Sequence, residues 1–158
     1  MEPQTRAEVA RQYFLDGYNC TQAVVLAFAD RFPAERDTLL SVASSFGGGM
    51  GRLREVCGTV SGMFIVLGLL SGYATPETGQ VKADHYADIQ ELARRFEVEN
   101  GTIVCRELLG LTEKRQSPTP EPRTAEYYRK RPCPDLVACA ARILEEFLQE
   151  REGQEPKV

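Results

Sequence analysis

VCGTVSGMFIVLGLLSGY, residues 56–73, is the stretch of this chain that decides its fold. It contains apolar runs at 64–67 and 69–70, but Thr59, Ser61, Ser71 and four glycines dilute it. A membrane span needs about 20 mostly apolar residues. We therefore interpret the segment as the buried central helix of a soluble protein.

The size and charge of the chain restrict its class. A chain of 158 residues suits one domain, which buries roughly two thirds of the surface that its unfolded form exposes, so folding needs no disulfides. Its 19 basic and 23 acidic residues give a net charge of −4, and the basic residues form no block. Nucleic acid and anionic membrane are therefore poor candidate partners. The start MEPQTRAEVARQ lacks the features of a secretory signal, which predicts a cytoplasmic protein with reduced thiols.

Apolar residues recur at helical spacing along the chain, and no stretch alternates as a strand would. We predict an all-α fold, a single domain over residues 1–158 built as a helical bundle of about six to seven helices. Residues 110–132 are expected to form a mobile proline-rich loop, because the run SPTPEP favours extended backbone. Residues 151–158 are expected to form a disordered tail.

Four of the five cysteines share one local pattern. Each is followed three residues later by an apolar residue, and usually by another at four, so these side chains share one face of a helix. Candidate N-caps, Asn19 and Thr102, precede two of them, and Pro134 follows a third, which indicates the first turn of a helix. We expect four thiols to point inward from four helix starts. They are those of Cys20, Cys57, Cys105 and Cys133.

The start of a helix favours a thiolate, because the helix dipole stabilises negative charge there by about 0.3 to 1 kcal/mol. Thiolate is both a metal ligand and a redox nucleophile. The four cysteines are 37, 48 and 28 residues apart, so no Cys-x-x-Cys pair exists and the fold would have to assemble the site. Three hypotheses stay open: ligands of an iron–sulfur cluster or other metal, a metal-free thiol–disulfide oxidoreductase, and a structural zinc-binding module. A further alternative is that the cysteines only fill space in the core.

Glycines are concentrated near these cysteines. GGGMG, residues 47–51, allows backbone angles that side chains forbid and predicts a turn in which the main chain lines the site. Gly58 and Gly62 have the four-residue spacing that allows a neighbouring backbone to approach closely. The predicted site-lining residues are Gly47, Gly48, Gly49, Gly58 and Gly62.

Two further residues are weighed as ligands. Cys139 lies about 100° from the apolar centre of the last predicted helix and is interpreted as a boundary residue. His85, the one histidine, shares a face with Ile89 and Leu92 and is interpreted as a partly buried polar residue. The metal site is therefore expected to contain the other four cysteines alone.

In this order the motifs resemble the C-GCAxxG-C-C family of redox-active proteins, which is named for its cysteine pattern. The resemblance extends over residues 17–147. It is carried by YNC at 18–20, FGGGMG at 46–51, CGTVSG at 57–62, CRELLG at 105–110 and Cys133 with LV at 136–137. Thr59 follows Cys57-Gly58 where the family name has Gly-Cys-Ala, and this departure leaves Cys57 and Gly62 in place.

The resemblance implies that the four cysteines have a redox or metal-bound role beside a redox partner protein. The leading hypothesis is an electron-transfer protein or oxidoreductase in which they bind an iron–sulfur cluster, with zinc or no metal as the alternatives. Substrate, metal identity and any homo-oligomer stay open from the sequence.

Overall fold

The computed structural model describes residues 2–76 and 79–154. In chain order the helices are α1 (Arg6–Leu15), α2 (Cys20–Ala27), α3 (Arg36–Ser44), α4 (Gly47–Met50), α5 (Gly58–Ser71), α6 (Gln80–Asn100), α7 (Cys105–Leu108), α8 (Ala125–Lys130) and α9 (Cys133–Gln154). A 3₁₀ turn, Ala29–Arg31, follows α2. Within the described residues there is no strand, only one antiparallel bridge between Val56 and Val104. The predicted all-α fold is confirmed.

The core lies around α5, which is apolar on nearly every side and therefore buried by neighbours on several sides. Helix α2 packs against α5, α1 packs against both α2 and α9, and α6 contacts α5 and α9. The predicted central helix is thus confirmed, with bounds Gly58–Ser71. No helix in the two described ranges has the length and apolar character needed to cross a membrane.

Capping residues determine where the cysteine-bearing helices begin. Asn19 caps α2 in a capping box: its side chain accepts a hydrogen bond from the Gln22 N–H at 2.8 Å, and the Gln22 side chain accepts one from the Asn19 N–H at 3.1 Å. The predicted cap Thr102 is wrong by two residues, because Val104 is the N-cap of α7. The Thr102 hydroxyl instead accepts a hydrogen bond from the Val104 N–H at 3.0 Å and so stabilises the turn that precedes α7.

Two segments differ from the sequence predictions. The proposed loop at 110–132 contains α8, because Thr124 caps that helix by accepting a hydrogen bond from the Tyr127 N–H. The proposed tail at 151–158 is helical up to Gln154, where Arg151 and Glu152 form ion pairs with Asp88 and Arg31. Residues 155–158 of that predicted tail lie outside the described residues.

Candidate functional site

The four predicted cysteines all lie at the starts of helices. Cys20, Cys105 and Cys133 are the first residues of α2, α7 and α9, and Cys57 is the N-cap of α5. These positions confirm the helix-start prediction. Each thiol is therefore close to backbone N–H groups that have no partner within their own helix.

The fold brings the four thiols to one cavity of about 70 Å³. Cys57 and Cys105 are each 6% exposed, and the other two are half-buried. Apolar and aromatic side chains form part of the lining: Phe14, Leu108, Leu109, Tyr127 and Leu136. All the cysteines are free thiols. Among the described residues, no three His, Cys, Asp or Glu side chains form a group that could hold a metal ion as they stand.

A short backbone pairing aligns Cys57 with Cys105, which are far apart in sequence. The Cys57 N–H donates to the Ile103 carbonyl at 2.8 Å, and the Cys105 N–H donates to the Glu55 carbonyl at 2.6 Å. The bridge between Val56 and Val104 lies between these two hydrogen bonds. Two buried thiols are thereby fixed relative to each other by main-chain geometry, which restricts their motion more than side-chain packing alone would.

The glycine-rich segment lies directly against the site. Gly48 lines the thiol cavity, and its backbone N–H acts to lower the pKa of the Cys20 thiol, against the effect of burial. Gly49 has φ +65°, and a Cβ at this position would lie 2.6 Å from Cys105 Cβ. Gly47 lines an adjoining cavity and leaves space for the Asn19 side chain. The segment therefore allows α2 and α7 to approach the same point.

Two glycines of α5 provide the space for α2. Gly58 lines the thiol cavity, and a Cβ on it would lie 2.3 Å from the Cys20 sulfur. Gly62 lies one turn further from the cavity, where a Cβ would lie 2.8 Å from Val24 Cβ. The predicted close approach of a neighbouring helix at these glycines is confirmed, and Gly62 acts through packing rather than through the cavity lining.

Arg54 is a site residue that the sequence predictions missed. It is only 5% exposed, and its Nη1 donates to the Cys105 sulfur at 3.5 Å while its Nε donates to Gln116 Oε1 at 2.9 Å. Its positive charge suits a negatively charged group in the thiol cavity, which Arg54 also lines. An arginine two residues from another arginine, Arg52, looks like ordinary surface charge, so no local signal in the sequence indicates this burial.

Burial makes the metal-free thiols hard to ionise. It raises the pKa of the Cys20 thiol, which the Gly48 hydrogen bond partly opposes, and it raises the pKa of the Cys57 thiol well above the usual range. It also raises the pKa of Cys133 to about 12. Negative charge on Cys20 would raise the pKa of Cys57 and Cys133 further, because these groups share one cavity. At neutral pH these three sulfurs carry protons unless a metal replaces them.

The metal-free, reduced protein is therefore expected to lose stability as the pH rises above about 8.5. Above that pH the unfolded thiols release protons that the folded ones keep, so the free energy of unfolding falls, by up to about 1.4 kcal/mol per pH unit for each thiol. Below it both states are protonated and these groups add no pH dependence. When urea unfolding is measured at several pH values, the free energy of unfolding should fall less steeply with pH for Cys57→Ser than for the wild type. Equal slopes would contradict the raised pKa of Cys57.

Cys139 and His85 lie away from the thiol cavity. Cys139, on α9, faces the end of α6, where Asn100 Nδ2 donates to its sulfur at 3.5 Å. His85 lies on α6 with its ring packed edge-on against Tyr73 at a centroid distance of 5.9 Å. Neither residue is among those that line the cavity.

Comparison with known proteins agrees with this arrangement of cysteines and glycines. A family model described as "Putative redox-active protein (C_GCAxxG_C_C)" matches residues 18–147, which is most of the chain. The chain belongs to the C-GCAxxG-C-C family. No curated protein and no solved structure matches the chain. In this member of the C-GCAxxG-C-C family, the cysteines and glycines of the family motif meet at the thiol cavity.

Proposed function

We propose that this protein transfers single electrons and that Cys20, Cys57, Cys105 and Cys133 hold an iron–sulfur cluster. One observation carries the proposal: all four thiols line the same buried cavity, from the starts of four helices. Four cysteine ligands are the set that both two-iron and four-iron clusters take. The redox character of the family supports the same conclusion.

The shape of the site favours a cluster over a single zinc ion. Sulfurs that ligate one zinc ion at about 2.3 Å in a tetrahedron lie only about 3.8 Å from one another. Here the four thiols line a cavity of about 70 Å³, and no three of the described His, Cys, Asp or Glu side chains form a group that could hold one metal ion as they stand. A group that contains several atoms between the sulfurs suits this arrangement better. A structural zinc module is therefore the weaker candidate.

The charges around the cavity suit a group with negative charge. The Arg54 guanidinium donates to the Cys105 sulfur, and the Gly48 N–H favours the anionic form of Cys20. The starts of α2, α5 and α9 add the positive ends of three helix dipoles, each contributing about 0.3 to 1 kcal/mol. Hydrogen bonds to ligand sulfurs and local charge are also what set the potential of such a cluster.

When bound, an iron–sulfur cluster would supply one-electron chemistry, while the chain determines access and charge. Leu108, Leu109 and Leu136 give the cavity apolar walls. Arg54 holds a positive charge at a fixed distance from Cys105. Loading has to release the protons that Cys20, Cys57 and Cys133 keep at neutral pH, so metal affinity should rise with pH.

The contact between Arg54 and Cys105 also favours a second candidate, a metal-free thiol–disulfide oxidoreductase. In that reaction two thiols give up two electrons and two protons to form a disulfide, and a disulfide of a partner protein is reduced to two thiols. Attack requires a thiolate. The raised pKa values of Cys20, Cys57 and Cys133 disfavour this candidate, because they leave few thiolates at neutral pH.

The test is cofactor content after purification without oxygen. We expect iron and acid-labile sulfide with a visible absorption spectrum in the wild type, and loss of that cofactor in each of four variants, because every ligand is needed to close the site: Cys20→Ser, Cys57→Ser, Cys105→Ser and Cys133→Ser. Cys139→Ser is the matched control, since that thiol lies outside the cavity. It should keep the wild-type iron content.

Two results would overturn the cluster. One is full metal content in all four cavity variants. The other is a wild-type protein without iron whose thiols are all titratable, together with rapid alkylation of one of them at neutral pH. That second result would move the function to thiol–disulfide exchange.

A further inference from the structure

A second cavity, of about 290 Å³, adjoins the thiol cavity. The two share part of their lining, namely Asn19, Gly48, Arg54, Arg123 and Tyr127. The outer cavity has walls from the 47–52 segment on one side and from Pro118 and Pro120 on the other. We call it the arginine vestibule, because Arg52, Arg54 and Arg123 all line it.

Positive charge in the arginine vestibule exceeds negative charge. Glu121 is the one carboxylate among its lining residues. That carboxylate is already paired with Arg131 at 2.7 Å and lies 3.9 Å from Arg52. Burial and the charge of nearby Arg54 lower the pKa of Arg52, as expected where cations are crowded. The cavity thus contains three guanidinium groups and one carboxylate that is largely neutralised elsewhere.

The two other arginines are satisfied by groups that carry no full charge. Arg54 donates to Gln116 and to the Cys105 sulfur. Arg123 donates to the carbonyls of Phe14 and Tyr18 at 3.0 and 3.1 Å. A buried guanidinium without an anionic partner is costly, and Arg54 is 5% exposed. A thiolate or a cluster in the thiol cavity could balance the charge of Arg54, whereas Arg52 lines the vestibule and is not among the residues that line the thiol cavity.

The backbone holds these arginines in unusual conformations. Met50, Arg52 and Arg54 have φ values of +68°, +66° and +58°. Each such residue with a side chain costs about 1 kcal/mol or more. Local strain of this kind persists where the surrounding contacts impose it, here the hydrogen bonds from Arg52 to Ser117 and from Arg54 to Gln116. The guanidinium heads are thereby fixed at the vestibule instead of extending into solvent.

We propose that the arginine vestibule binds a small oxyanion beside the thiol cavity. Planar guanidinium groups match pairs of oxygens on sulfate, phosphate or carboxylate groups. The volume of about 290 Å³ restricts the ligand to a small molecule. This inference goes beyond the proposed function, because the vestibule does not depend on iron or on the oxidation state of the thiols.

The experiment is calorimetric titration of the full-length protein, purified without oxygen, with its iron content recorded. One arm uses sulfate and phosphate, the other uses acetate and succinate, and sodium chloride at matched ionic strength is the baseline. Binding in the first arm identifies an inorganic oxyanion as the ligand, and binding in the second identifies a carboxylate. Either result supports the proposal that the vestibule binds an oxyanion. We expect Arg52→Gln to weaken binding at least tenfold, because a charge-assisted hydrogen bond is lost.

Two variants keep the result interpretable. Arg52→Lys retains the charge and should bind between the wild type and Arg52→Gln. Arg94→Gln removes an exposed arginine that pairs with Glu91 on α6 and should bind like the wild type. The proposal is overturned if no oxyanion binds above the chloride baseline, or if Arg52→Gln, with an unfolding transition like that of the wild type, keeps its affinity. A wild-type protein without iron would contradict the proposed cluster but would not contradict oxyanion binding in the vestibule.

Discussion

Gly49→Ala is expected to lower the free energy of unfolding by about 2 to 4 kcal/mol. Gly49 has φ +65°, a conformation that costs a residue with a Cβ about 1 kcal/mol or more. A Cβ there would also lie 2.6 Å from Cys105 Cβ and 2.9 Å from Arg54 Cα. Those atoms belong to the backbone or are attached directly to it, so no rotation of a side chain relieves the overlap. Overpacking of this kind typically costs a further 1 to 3 kcal/mol or so.

Gly110→Ala is the matched control for this prediction. Gly110 has nearly the same φ, +67°, but nothing lies within 4 Å of the position that a Cβ would occupy. Its replacement should cost only the conformational part, about 1 kcal/mol. Urea unfolding of both variants separates the two contributions. Equal losses would mean that the contact between Gly49 and Cys105 does not constrain the fold.

The second large effect is expected at Gly58, where alanine should destabilise the protein by about 2 to 3 kcal/mol. A Cβ at this position would lie 2.3 Å from the Cys20 sulfur, 2.6 Å from Thr21 Oγ1 and 3.1 Å from the Phe46 carbonyl oxygen. The sulfur can turn away only by leaving the position it takes in the cavity, and the carbonyl cannot turn. The variant should therefore also lose cofactor, or change the alkylation rate of Cys20 in metal-free protein.

Gly68 offers an opposite result in the same helix. It lies inside α5, and a Cβ there would meet nothing within 4 Å. Gly68→Ala should stabilise the protein by about 0.5 to 1 kcal/mol, because glycine is unfavourable within a helix. Unfolding experiments should thus give effects of opposite sign at Gly58 and Gly68. Stabilisation by both substitutions would rule out the tight packing of α2 on the start of α5.

Gly49 and Gly58 give a physical reason why the motifs of this chain combine cysteines with glycines. Gly49 leaves the space that Cys105 occupies, and Gly58 leaves the space for Cys20. A cysteine at the start of one helix therefore depends on a missing side chain in another segment. The thiol cavity is a product of close backbone approach, and larger residues at either glycine would separate the helix starts that form it.

Local features of the sequence determined the helices and the placement of the cysteines within them. Apolar spacing predicted the all-α fold and the buried helix α5, and Asn19 identified the start of α2. Such signals are readable because helix formation and capping involve residues only three or four positions apart. Where a cap acted over a different distance, at Thr102, the prediction was off by two residues. The motifs also indicated the family, which the family model confirms.

The charged groups around the thiols were decided by the tertiary structure alone. Arg54 meets Cys105 and Gln116 across 51 and 62 residues of sequence, and Arg52 meets Ser117 across 65. The same long-range contacts hold the segment before α8 against the glycine-rich turn and create the arginine vestibule. Whether an arginine is solvated or buried beside a sulfur depends on which distant segment packs over it. No spacing within the sequence indicates this burial, because its cause is the packing of two loop segments that are remote along the chain.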